Sequence, residues 1–123
     1  MKTYYRPALT ILWLLMLALS PFGLAHAQVQ VTSADPSSTV QGTVSLDVTI
    51  NGSGFDSSAD VKFLVTGTTD SGGITVKKVS VRNSRRLVAT IEVADTAVVN
   101  RFDIEVTLSS GRKGKGTTLF AVQ

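Results

Sequence analysis

Beyond residue 27 the chain holds no His, Cys, Tyr, Trp or Met, so the groups able to act on another molecule reduce to carboxylates, hydroxyls and a few cations. The densest set is Arg112-Lys113-Gly114-Lys115-Gly116, three positive charges spaced by glycine, with Arg85-Arg86 as a second basic pair. Cations on a glycine-rich turn suit an acidic glycan, a lipid head group or an acidic protein. The same charges also keep a hairpin tip solvated and its strand edges from pairing with other chains. Arg112, Lys113, Lys115, Arg85 and Arg86 are therefore the candidate binding residues.

Catalytic machinery is not evident. A Ser nucleophile needs a base such as His to take its proton, and the single His, His26, precedes this region. Asp56 and Asp60 stand four apart, but Ser57 and Ser58 between them mark an ordinary turn. Transition metals draw on His and Cys. Calcium would have Asp56, Asp60 and Asp70, which lack the alternating acidic spacing of a calcium loop. The expectation is a non-enzymatic protein with no catalytic residue, cofactor or metal.

The N-terminus reads as an export signal. Lys2 and Arg6 are its positive region, residues 8–19 its apolar region, and Pro21 and Gly23 interrupt any continuing helix. Ala25-His26-Ala27 supplies the small-x-small pattern of a cleavage site. A spanning helix needs roughly 20 apolar residues, more than this core provides, so a cleaved signal over 1–27 is favoured against a membrane anchor. Periplasmic or secreted localisation follows, with no membrane insertion after cleavage. An N-terminal lipid is excluded because the chain has no Cys.

Residues 28–123 are of a size for one domain. The precursor charge of +3 includes Lys2 and Arg6; without them ten Lys and Arg oppose nine Asp and Glu. So small an excess argues against nucleic acid, whose phosphates demand a strongly basic face. The aromatics left are Phe55, Phe63, Phe102 and Phe120, which offer no Trp or Tyr for stacking sugars.

The elements that must position these residues show a period of two. Phe102, Ile104, Val106 and Leu108 share one face of a strand, with Arg101, Asp103, Glu105 and Thr107 on the other. Val44, Leu46, Val48 and Ile50 form a second row, and Leu87, Ala89, Ile91 and Val93 a third. Weaker strands fit 29–33, 61–65, 74–82 and 117–122. Within 74–82 the apolar parity switches between Val76 and Val79, which predicts a bulge near Lys77-Lys78. Residues 94–100 have room for one helical turn. Asp35-Pro36-Ser37-Ser38, Asn51-Gly52-Ser53-Gly54, residues 67–73 and residues 111–116 are turn chemistry. The sum is an all-β chain of about seven strands, a small β-sandwich.

Val48-Thr49-Ile50-Asn51-Gly52-Ser53-Gly54-Phe55, followed by Val61-Lys62-Phe63, resembles the strand-glycine-Phe stretch of IPT/TIG domains. Asp35-Pro36 and Gly42 sit where that family has its opening turn. Leu87-Val88-Ala89-Thr90-Ile91 and Phe102-Asp103-Ile104-Glu105-Val106-Thr107 are similar to its later strands. The chain departs from the pattern where no Pro follows Ile91 and no Gly precedes Phe102. The resemblance implies an immunoglobulin-like sandwich without catalytic residues or cofactor, and it transfers no site. In physical terms Gly52 and Gly54 permit a tight, bulged exit after which Phe55 folds back into the core. The expected function is an exported interaction module of the bacterial envelope or surface whose partner is another protein there. The alternative is a self-associating structural subunit, and an accessory glycan-binding domain has less support.

Overall fold

The computed structural model describes residues 28–123, and the export signal assigned to 1–27 lies outside the described residues. Eight strands follow in order: β1 (Gln30–Asp35), β2 (Ser38–Thr39), β3 (Leu46–Ser53), β4 (Asp60–Val65), β5 (Ile74–Asn83), β6 (Arg86–Val93), β7 (Arg101–Thr107) and β8 (Lys113–Val122). They form two four-stranded sheets, β1-β3-β6-β5 and β2-β8-β7-β4. Every pairing is antiparallel except β2 with β8. The described residues contain no helix.

Alternation explains the architecture. Val48 and Ile50 of β3 and Leu87, Ala89 and Ile91 of β6 are fully buried from one sheet. Phe102, Ile104 and Val106 of β7 and Phe120 of β8 are fully buried from the other, and all belong to one cluster. Phe63 meets Phe120 edge to face, with centroids 5.2 Å apart and planes at 83°, the arrangement that aromatic quadrupoles favour. Two sheets sharing one core give a β-sandwich-like chain. Phe55 is buried in that core, and Gly54 has φ +78°. The bulge expected beside them lies across the ladder, in β1, where the register shifts between Val31 and Ser33.

Other expectations meet local physics. The register of β5 on β6 shifts between Val76 and Lys78, so a one-residue slip carries the apolar parity across. Val44, placed in a strand by parity, is 70% exposed in the loop before β3. Residues 94–100 form a turn, with Ala97 N–H donating to Ala94 C=O at 3.0 Å, and no helix. The eighth strand, β2, is two residues pairing with Ala121 and Val122, too short for any periodicity to reveal.

The glycines of 111–116 correct the reading most. Gly114 and Gly116 are not turn residues but lie within β8, which begins at Lys113. A Cβ at Gly114 would stand 2.1 Å from the carbonyl oxygen of Val29, and one at Gly116 would stand 2.6 Å from that of Val31. The backbone entering and forming β1 is laid directly against β8, closing this side of the molecule. Gly114→Ala is therefore expected to lower unfolding free energy by roughly 1–3 kcal/mol through overpacking. Exposed Ser110→Ala should stay within about 0.5 kcal/mol; urea unfolding of the two variants checks the contrast.

Candidate functional site

Four of the five candidate cations share one end of the molecule. The β5–β6 turn carries Arg85, with Arg86 opening β6, and the β7–β8 turn carries Arg112, with Lys113 opening β8. The loop between β3 and β4 lies between these turns: Phe55 N–H donates to Ser84 C=O at 3.0 Å, and Ser109 N–H donates to Ser58 Oγ at 3.0 Å. Asp56 belongs to that loop. Hydrogen bonds from the Ser58 hydroxyl and amide hold its carboxyl below the usual range, and the charge of Arg112 adds to the effect. The basic end is thus divided by a carboxylate, which lowers its appeal to a polyanion.

Each turn is held by its own side chains. Asn83 Oδ1 accepts from Arg85 N–H at 2.8 Å, and Arg85 C=O accepts from Gly52 N–H at 2.9 Å. Arg112 Nε donates to Ser110 Oγ at 3.3 Å. Arg85 and Arg86 line an open cleft of about 530 Å³ with Thr32, Asn51, Gly52 and Ser84. Among the described residues no three His, Cys, Asp or Glu side chains come together as a metal set. Asp70 Oδ1 instead accepts from Gly72 N–H at 3.1 Å in its own turn.

Lys115, the fifth candidate, points elsewhere. Its Nζ lies 3.8 Å from Oδ2 of Asp103, a side chain only 2% exposed. Alternation alone places Asp103 on the solvent face of β7, yet the residue is 1% exposed. The covering comes from β8, whose register on β7 jumps from Ile104↔Gly116 to Phe102↔Phe120. Residues 117–119 bulge over Asp103. Thr118, at φ +56°, donates its N–H to Asp103 Oδ1 at 2.9 Å. Thr66 Oγ1 donates to the same oxygen at 2.8 Å, and Gly67 N–H reaches Oδ2 at 3.4 Å. Burial pushes this carboxyl upward, but the donors from Thr118, Thr66 and Gly67, helped by Lys115, outweigh it and hold the group below the usual carboxylate range.

The opposite end has another character. Val40 and Val44 on the loop before β3, and Val98 and Val99 on the loop before β7, are the large apolar side chains exposed among the described residues, at 41–70%. The two loops are joined by Gln41 Nε2 donating to Ala97 C=O at 2.6 Å and Gly42 N–H donating to Ala94 C=O at 3.2 Å. No sequence signal marked this cluster. Parity places Val44 on the apolar row of β3, and Val98 and Val99 fall in the stretch with room for a helical turn.

Asp103→Ala is expected to destabilise by about 3 kcal/mol, since it strands buried donors. Lys115→Met should cost under about 1 kcal/mol, because its Nζ is partly exposed and 3.8 Å away. The folded pKa of Asp103 lies below the unfolded one, so its contribution is complete above about pH 4 and is lost as pH falls through the folded value. Unfolding in urea at stepped pH should show less acid loss in Asp103→Ala than in the parent.

No family model matches the chain, and no curated protein matches it.

Proposed function

We propose that the protein is an exported interaction module: an immunoglobulin-like sandwich of IPT/TIG type that binds another protein of the envelope or cell surface and carries out no reaction of its own. The strand order supports the fold part of this reading. Immunoglobulin sandwiches place a four-stranded A-B-E-D sheet against C-F-G, and β1-β3-β6-β5 against β4-β7-β8 repeats that order, with β2 added beside β8. The leader of 1–27 supports export.

The observation that carries the function is the cluster of Val40, Val44, Val98 and Val99 at one end. An apolar group held out of a core, on loops fixed by hydrogen bonds, marks a surface that gains by being covered. Loops at the end of a rigid sandwich are where such folds present contacts.

The test is crosslinking in the native host followed by pull-down and intact-mass analysis of the bait. The expected result is a bait that begins at Gln28 with one specific envelope protein attached. The pair Val44→Ser and Val99→Ser should abolish the capture while changing stability by less than about 0.5 kcal/mol. Recovery of copies of the chain alone would favour a self-associating subunit. Recovery of a membrane-bound chain retaining residues 1–27 would overturn the leader assignment.

A further inference from the structure

The two long sides of the molecule are unequal. On one, β1 lies backbone-to-backbone against Gly114 and Gly116 of β8. On the other, β4 and β5 are separated by an open groove of about 490 Å³. The mature chain would begin on the closed side. Cleavage after Ala27 makes Gln28 its first residue, which puts an α-amine and a side-chain amide on one residue. A Cβ at Gly54 would stand 2.4 Å from Gln28 C=O, and one at Gly114 would stand 2.1 Å from Val29 C=O. Val29 is itself buried in the core. The backbone is thus held from the Gln28 carbonyl onward. The side chain is not held: Gln28 is exposed, and its amide has no hydrogen-bond partner among the described residues.

We propose that Gln28 is a modification site, closed in the exported chain to a pyroglutamate by attack of its own α-amine on its side-chain amide. The proposal rests on the export reading and on cleavage after Ala27. In the step the amine nitrogen bonds to Cδ and the Cδ–Nε2 bond breaks. The amide nitrogen leaves as ammonia, taking the proton that the amine gives up. No oxidant, reductant or second reactant enters. Both groups belong to one residue, so the reaction is spared the entropy of bringing them together. A side chain tied to a neighbour would resist curling back, and Gln28 has no such tie.

The fold accommodates the product. The lactam ring lies within residue 28, so the Gln28 carbonyl and Val29 keep their places against Gly54 and Gly114. Charge points the same way. Gly54 leads into the loop bonded to the β5–β6 turn, and Gly114 follows Lys113, so the terminus emerges at the end bearing Arg85, Arg86, Arg112 and Lys113. A free terminal ammonium would be a fifth cation there, whereas the lactam is neutral, and like charges held close repel. Asp56 is not idle: it already accepts from Ser58 N–H at 2.8 Å and feels the charge of Arg112. The ring also removes the amine that an aminopeptidase grips. Trimming past Gln28 would next take Val29 from the core and then Gln30, where β1 begins.

The experiment expresses the full chain, residues 1–27 included, in its native host and takes the intact mass at once from fresh lysate. The expected mass is that of residues 28–123 less one ammonia. Stepwise sequencing from the N-terminus should be blocked, and treatment with pyroglutamyl aminopeptidase should restore it from Val29. Gln28→Ser should mature at the same bond, show a free α-amine to an amine-reactive label, and lose N-terminal residues to an aminopeptidase that leaves the parent intact. An open Gln28 amine in the fresh sample overturns the proposal even where the ring closes later on storage, since closure then belongs to handling alone. That outcome keeps cleavage after Ala27 and the export reading. A mass beginning at another residue overturns both the proposal and the cleavage site, and one retaining residues 1–27 overturns the export reading as well. Should Gln28→Ser fail to mature, the parent's mass and its enzymatic unblocking still decide.

Discussion

A carboxylate withdrawn from water costs several kcal/mol unless donors replace the solvent it lost. Asp103 meets that demand by gathering chain around itself. Its oxygens take Thr118 from the β8 bulge, and Thr66 and Gly67 from the turn after β4, while β7 runs between. One side chain thereby fixes how both neighbours meet the central strand of their sheet. Thr118 bears part of the cost, because a β-branched residue at φ +56° is strained by about 1–2 kcal/mol. A hydrogen bond to a charged acceptor contributes about 1.5–3 kcal/mol, enough to keep the bulge in place. The arrangement also removes Lys115 from the basic cluster.

Without a disulfide, packing and such polar anchors must hold the fold. The result is one packed body with different surfaces. The β1–β8 side admits no side chain between backbones, and the β4–β5 side is open along a groove. One end has cations divided by Asp56, and the other has exposed valines. Val98 N–H donates to Gly72 C=O at 2.8 Å, which ties the valine-bearing loop to the turn that floors the groove.

The strands that alternate most regularly, β3, β6 and β7, were legible because half-buried sheets impose a period of two on the sequence. The kink in β5 was legible for the same reason, since a single extra residue exchanges faces between Val76 and Val79. Val44 shows the limit. Correct parity continued two residues past the strand start at Leu46, and nothing local announced the end. Gly114 and Gly116 misled because glycine serves turns and close backbone approach equally, and only the position of β1 tells them apart. Asp103 sat on the face that alternation gives to water, so its burial depended on residues 117–119, remote in sequence. Of the candidate cations, the grouping of Arg85, Arg86, Arg112 and Lys113 at one end required the topology, and the diversion of Lys115 required Asp103.

The β8 irregularity differs in kind from the one in β5. Between Gly116 and Phe120 the strand carries two residues more than β7 opposite it, and an even excess preserves phase. Gly116, Phe120 and Val122 remain on the inner side, whereas the odd excess in β5 reverses inside and outside. The two extra residues therefore leave unchanged which positions of the strand are apolar. The loop-out is thus invisible to any pattern that tracks only alternation, and what holds its length is the Thr118 N–H that the buried Asp103 carboxylate requires.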